Sequence, residues 1–269
     1  MQPGDDLIRF EVKPKEAPGT KYEKIIRAAF FRHWSRGCTE FTFSRDEIDG
    51  SSLGLTPKNL GDIIYTYRYR RPLPQDILDC APEGTTWIIE GAGDGLYRFR
   101  AVAESWFEPD PNAPLIVLRD RTPEEVLEHG SVKDEQAILA SIAYNRLLDL
   151  FLWCRLERKQ SHWRTKVSGI GQVEIDDVYI GTDGRDGTEV VVTVQAKRDK
   201  DRINSVQIMQ DIRACNERGD GRVCRPVAVH YDSTTRRLAL MEFAEGDTPG
   251  SVKLVNEKHY LLQRRISLL

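Results

Sequence analysis

The residues in this chain best suited to chemistry are Glu174 and Asp176, followed about twenty positions later by Gln195 and Lys197. Carboxylate and amide oxygens are ligands for hard cations, and an ammonium group stabilises negative charge that develops nearby. Burying such groups together without a ligand or a reaction to serve is costly. The spacing suggests how they meet. Residues 173–180 (VEIDDVYI) are rich in β-branched residues and alternate, so Glu174 and Asp176 share one strand face, while Val173, Ile175 and Asp177 take the other. On that alternation Asp176 is preferred over Asp177 for the site.

A turn follows at 182–187 (TDGRDG), whose two Asp-Gly pairs are strong hairpin signals. In the next strand, 188–198, Val190, Val192, Val194 and Ala196 form an apolar stripe, and Gln195 and Lys197 fall on the opposite face. If the two strands are antiparallel neighbours, the four polar groups converge. A helix is predicted over residues 133–155, with Leu139, Ile142, Ala143, Leu147, Leu150, Phe151 and Cys154 on its buried stripe. Glu135 lies one turn ahead of Leu139, so its carboxylate is expected to face inward. A charged stretch, RLERKQSHWRTK at 155–166, separates this helix from the strand pair. A helix over 203–217 and strands at 225–231, 237–243 and 253–262 complete a mixed sheet flanked by helices.

The amino-terminal third reads differently. Ile25, Ile26, Ala29, Phe30 and Trp34 mark one face of a helix, and residues 40–43 form a short strand. Ser44 and Glu47 have capping-box spacing for a short helix to residue 53, and Thr56-Pro57 opens another that runs to Arg70. Leu60, Ile63, Ile64 and Tyr67 are its expected buried stripe. Residues 56–71 set Lys58, Arg68, Arg70 and Arg71 against Asp62, a net charge of +3 in a short stretch. Residues 85–92 and 96–103 then form a β-hairpin around Gly93-Asp94-Gly95. The domain boundary falls in 104–130, which divides the chain into 1–110 and 111–269.

The 269 residues suffice for two cores, and 30% of them are charged. The net charge of −3 gives no global attraction to nucleic acid, so such affinity has to come from a local patch. The five cysteines are widely spaced, with no paired spacing for zinc or disulfides, and reduced cytoplasmic thiols are expected. No apolar run is long enough to span a bilayer, and no membrane association is expected.

Two resemblances emerge from these residues. The order helix, short helix, turn, helix and hairpin over 21–103 resembles the winged helix-turn-helix family, which implies that 56–70 enters a DNA groove. Pro72, Pro74 and a short helical stretch, 75–80, depart from that pattern. A core helix, an acid on one strand, a turn and then Gln-x-Lys ending the next strand resembles the PD-(D/E)XK nuclease superfamily over about 131–231, in its Q-x-K variant. This resemblance implies a restriction-endonuclease-like fold of mixed α+β or α/β class and a DNA endonuclease of restriction type that uses Mg²⁺, with Mn²⁺ as a substitute. It makes Asp176 the metal-bridging carboxylate, Gln195 a ligand through its amide oxygen, and Lys197 the group beside the attacking water.

Because Gln195 carries no charge, Glu174 or Glu135 has to complete the site, with Glu174 a third metal ligand. Lys58, Asn59, Arg68, Arg70, Arg71, Lys159 and Arg164 are the expected DNA contacts, double-stranded DNA the partner and a homodimer the assembly. The resemblance also implies a prokaryotic defence role. Two other readings stand beside it: a DNA-binding protein with a decayed nuclease fold, and a nuclease selective for junctions or RNA.

Overall fold

The computed structural model describes residues 20–48, 60–103, 106–129, 135–218, 220–246 and 251–264. Lys58, Asn59 and the predicted helical stretch beyond Ile48 lie outside the described residues.

The amino-terminal module is built on α1 (Lys21–His33), whose Thr20 and Glu23 form a capping box at its start. Strand β1 (Glu40–Ser44) follows, and of the short helix expected from Ser44 the described residues form a 3₁₀ turn, Arg45–Glu47. Helix α2 (Leu60–Tyr65) then runs into a π-helical turn, Thr66–Arg70, instead of continuing as the α-helix that periodicity predicts. After α3 (Gln75–Leu78) comes the expected hairpin of β2 (Thr86–Gly93) and β3 (Leu96–Val102). The sheet order is β1-β3-β2, so β2 is an edge. Ile25, Ile26, Phe30, Phe43, Ile63, Ile64, Tyr67, Trp87 and Phe99 form one continuous apolar core beneath it.

The remaining chain forms β4 (Trp106–Phe107), β5 (Leu115–Arg119), α4 (Glu124–His129), α5 (Glu135–Tyr144), α6 (Leu147–Leu152), β6 (Cys154–Val167), β7 (Gly171–Asp183), β8 (Glu189–Arg198), β9 (Ile203–Asn204), α7 (Ser205–Arg218), β10 (Val223–Cys224), β11 (Val227–Asp232), β12 (Arg237–Glu245) and β13 (Val252–Gln263). One mixed sheet runs β5-β13-β12-β11-β8-β7-β6, with β10 also paired to β8. Strand β8 is antiparallel to β7 and parallel to β11. Helices α5 and α6 cover one face through Val190, Val192, Val194 and Ala196; α7 covers the other through Val173, Ile175 and Val191. The chain is thus a mixed α+β protein.

Two expectations fail here. The single helix predicted over 133–155 is broken, because Arg146 adopts φ 48° and ends α5 before α6 begins. The charged stretch 155–166 is not a connector: it is most of β6, an edge strand. Edge strands tolerate charge on both faces, since solvent reaches them and charge discourages pairing with other chains. The sheet therefore gains a strand that periodicity does not reveal.

The modules meet along α7 and the β6–β7 turn. Val206 packs with Ile88 and Val102, the Tyr69 hydroxyl donates to Gln210 Oε1 at 3.2 Å, and Asn204 Nδ2 donates to the Arg68 carbonyl at 2.6 Å. Gly91 is required at this junction, because a Cβ there would lie 2.0 Å from the Ile170 carbonyl oxygen. Strand β4 pairs with β9, and Phe107 packs in the core beneath α7, so residues 106 and 107 already belong to the carboxy-terminal module. Among the described residues no helix is long and apolar enough to cross a membrane.

Candidate functional site

The site lies where β7 and β8 part. Their ladder runs from Thr182↔Glu189 to Asp177↔Val194 and stops; beyond it β8 continues alongside β11, from Val227↔Val194 to Tyr231↔Arg198. Past this point β7 is no longer paired with β8, so backbone groups on the facing edges of both strands look onto a gap. Two side chains fill it reciprocally. The Asp176 carboxylate accepts from the backbone N–H of Ala196 at 2.8 Å, and Gln195 Nε2 donates to the Glu174 carbonyl at 3.2 Å.

The local conformation that frees Asp176 is visible in the faces of β7. Val173, Ile175 and Val178 all lie in the cluster under α7, whereas Tyr179 belongs to the cluster under α5 and α6. Ile175 and Val178 are an odd number of residues apart and yet share a face. Alternation is therefore lost between them. Ladder pairing is absent at the same place: Trp163↔Ile175 and Ser161↔Asp177 are paired, whereas His162 and Asp176 between them are not. His162 has φ 48°, which lets β6 follow the irregularity.

Asp177 consequently does not join Val173 and Ile175, as alternation predicts. It is fully buried toward α5, where it accepts from Ser161 Oγ at 2.6 Å and Tyr179 Oη at 3.3 Å and pairs with Arg158 at 3.2 Å. Every one of those contacts holds the local fold.

Burial pushes the Asp176 carboxyl above the ordinary carboxylate range; the Ala196 N–H, Lys197 and His162 oppose that, and Glu174 adds to it. The Lys197 ammonium thus sits within electrostatic reach of Asp176, at the half-buried end of β8. Gln195 is 3% exposed, and its Nε2 also donates to both oxygens of Asp211 on α7, at 3.1 and 3.2 Å.

Asp211 is an acid that the sequence pattern does not single out. It is 1% exposed, and burial drives its carboxyl well above the ordinary range, with Cys215 and Asp176 pushing the same way and the Gln195 hydrogen bond opposing them. Gln195 supplies no charge of its own, but a buried acid stands directly behind it.

The other sequence candidates are distributed as follows. Glu174 is on β7 next to the site, but its carboxylate turns outward to Arg164 Nη2 at 3.1 Å and His162 Nδ1 at 3.7 Å. Glu135 begins α5 and is half-buried; its neighbour Gln136 reaches His162 Nε2 at 2.8 Å, which brings the start of α5 close to the site's rim. Lys159 and Arg164 are exposed along β6. Arg70 lies over the Tyr65 ring at 4.8 Å and Arg71 is exposed. Arg68 does not share that exposure, because its Nε and Nη2 are buried against the carboxy-terminal module.

Among the described residues, no group of three or more His, Cys, Asp or Glu side chains is arranged to hold a metal ion. What is assembled is one carboxylate, Asp176, beside a side-chain amide, Gln195, with Glu174 near. A short set of oxygen donors of this kind suits Mg²⁺, which is held by one or two carboxylates and completes its shell with water and substrate phosphate. Comparison with family models, with curated proteins and with solved structures finds no match to this chain.

Proposed function

We propose that this chain is a Mg²⁺-dependent DNA endonuclease of restriction type, with a prokaryotic defence role. The observation that carries the reading is the opening between β7 and β8, which sets Asp176 against the Gln195-Ala196-Lys197 backbone at the end of an apolar strand. In this reading a phosphodiester would approach the half-buried side chains of Asp176 and Lys197.

In this reading the chain's residues divide the work. Asp176 and the Gln195 amide oxygen, with Glu174 once it turns from Arg164, would hold the cation. A bound Mg²⁺ supplies Lewis acidity and lowers the pKa of water. Lys197 orients the attacking water and stabilises charge on the scissile phosphate. Asp211 fixes the Gln195 side chain through its Nε2, so the amide oxygen would be the atom offered to a bound cation. Arg164 and Lys159 line the β6 edge and offer positive charge to the DNA backbone, while Arg70 and Arg71 do so from the amino-terminal module, which we read as a winged-helix-like reader. Each site cuts one strand, so cleavage of both strands calls for a homodimer acting on double-stranded DNA.

A second reading is favoured by two contacts. Glu174 is engaged by Arg164 and Gln195 by Asp211, as expected of a decayed nuclease that binds DNA without cutting it. Incubating the protein with methylated and unmethylated plasmids and Mg²⁺, then sequencing any ends, separates the two. Defined cleavage on either plasmid supports the enzyme, and tight binding with no cut on both supports the decayed site.

A further inference from the structure

The two modules enclose a cavity of about 200 Å³ that the nuclease reading does not use. Its walls are apolar and aromatic, from Tyr67, Leu73, Trp87 and Ile88 of the amino-terminal module and Trp106 across the junction, with Asn204 at one side. Arg68 also lines it, held by the hydrogen bond from Asn204 to its carbonyl and by stacking of its guanidinium 4.9 Å from the Tyr69 ring centroid.

Three donors on these lining residues are buried without a hydrogen-bond partner among the described residues: Arg68 Nε, Arg68 Nη2 and Trp87 Nε1. Trp87 as a whole is 2% exposed. Buried donors are normally satisfied, so three left over around one cavity indicate acceptors that come from elsewhere. Their identity matters too. Nε–H and Nη2–H form one edge of the guanidinium fork, the edge that matches two oxygens of a carboxylate or phosphate. The other arginine on this cavity, Arg202, is already paired with Glu108 at 3.1 Å, so Arg68 alone has its fork free.

We infer that this cavity binds a small organic oxyanion, a carboxylate or monophosphate on a flat apolar or aromatic body, with the anion on the Arg68 fork and Trp87 donating to it. The volume admits a single-ring compound and excludes a dinucleotide. The position gives binding a route to the candidate site: Tyr69, next to Arg68, bonds Gln210, and the adjacent Asp211 holds Gln195.

The test uses the full chain with benzoate and phenyl phosphate as probes. At least one is expected to raise the melting temperature in a dose-dependent way and to shift the Trp87 indole N–H resonance, assigned by its loss in Trp87→Phe. Arg68→Met should weaken binding by at least about tenfold, and Arg68→Lys, which keeps the charge and loses the fork, should weaken it as well. Trp87→Phe, which preserves the wall, should weaken binding by less, and provides a check should the arginine variants fail to fold. The inference is overturned if neither probe moves the wild-type protein, or if Arg68→Met binds as wild type does. It is equally overturned if duplex DNA displaces the probes competitively, because Arg68 would then be a backbone contact.

Discussion

The carboxylate of Asp176 accepts the backbone N–H of Ala196 at 2.8 Å, across the gap where β7 and β8 separate. A side chain thereby replaces a rung of the sheet. Asp176 has a structural role that a neutral acceptor can fill and a proposed chemical role that requires its charge.

These roles separate in Asp176→Asn. Asparagine retains an acceptor for the Ala196 N–H, so the fold is expected to survive. Burial raises the Asp176 carboxyl pKa, so the folded state binds more protons than the unfolded one, and stability falls as pH rises from the unfolded value toward the folded one. The neutral variant escapes that loss. Urea melts at neutral pH should show Asp176→Asn at least as stable as wild type, and a clearly less stable variant would mean that the charge itself holds the strands.

Asp211 should show the same sign more strongly. Its carboxyl is raised well above the ordinary range, so wild-type stability is fully present at acid pH and declines as pH climbs through the raised folded value. Asp211→Asn should flatten that decline and add on the order of 1 kcal/mol at alkaline pH. Parallel melts of both proteins across pH check this, and identical pH profiles would contradict it.

Asp177 should behave in the opposite way. Asp177→Ala strands Arg158 and leaves Ser161 and Tyr179 without their acceptor. The Arg158 side chain is 37% exposed, so solvent softens the loss to about 2–3 kcal/mol, below the figure for a fully buried pair. Chemical denaturation should show that loss, while activity per folded molecule stays near wild type. A stable but inactive Asp177→Ala would move the site from Asp176 to Asp177.

The basic end of the amino-terminal module makes a prediction about salt. If Arg70 and Arg71 touch phosphate, neutralising either should reduce the slope of log affinity against log salt by about 0.9. Neutralising Arg68 should leave the slope unchanged, since its Nε and Nη2 are buried at the junction. Filter binding over a salt series would measure both slopes, and equal effects at Arg68 and Arg70 would refute the distinction.

The readability of this chain from sequence depended on how each residue signals its position. The hairpin at 182–187 and the Val190-to-Ala196 stripe announce themselves through turn glycines and a period-two apolar pattern, so β7 and β8 were legible together with the approach of Asp176 to the Gln195-Ala196 backbone. Strand β6 was not, because its inward positions carry Ser161 and Thr165 as well as Leu156 and Trp163, so its burial alternates without a matching alternation of apolar residues. The break at Arg146 and the π-helical turn at Thr66–Arg70 were hidden for another reason: both fall on residues whose types and spacing fit a continuing α-helix. Asp211 was invisible because nothing local marks it. It is one acid on a loosely periodic helix, and only the packing of α7 on β8 brings it to Gln195.

The proposed activity is DNA cleavage by Asp176 and Lys197 with Mg²⁺. Its most direct measurement compares wild type, Asp176→Asn and Lys197→Ala for cleavage and for binding of the same duplex, with and without Mg²⁺. Wild type should cut only with the cation, and each variant should lose at least about a hundredfold in cleavage rate while binding DNA within a few fold of wild type. Mg²⁺-dependent cutting by both variants at the wild-type rate would contradict the account.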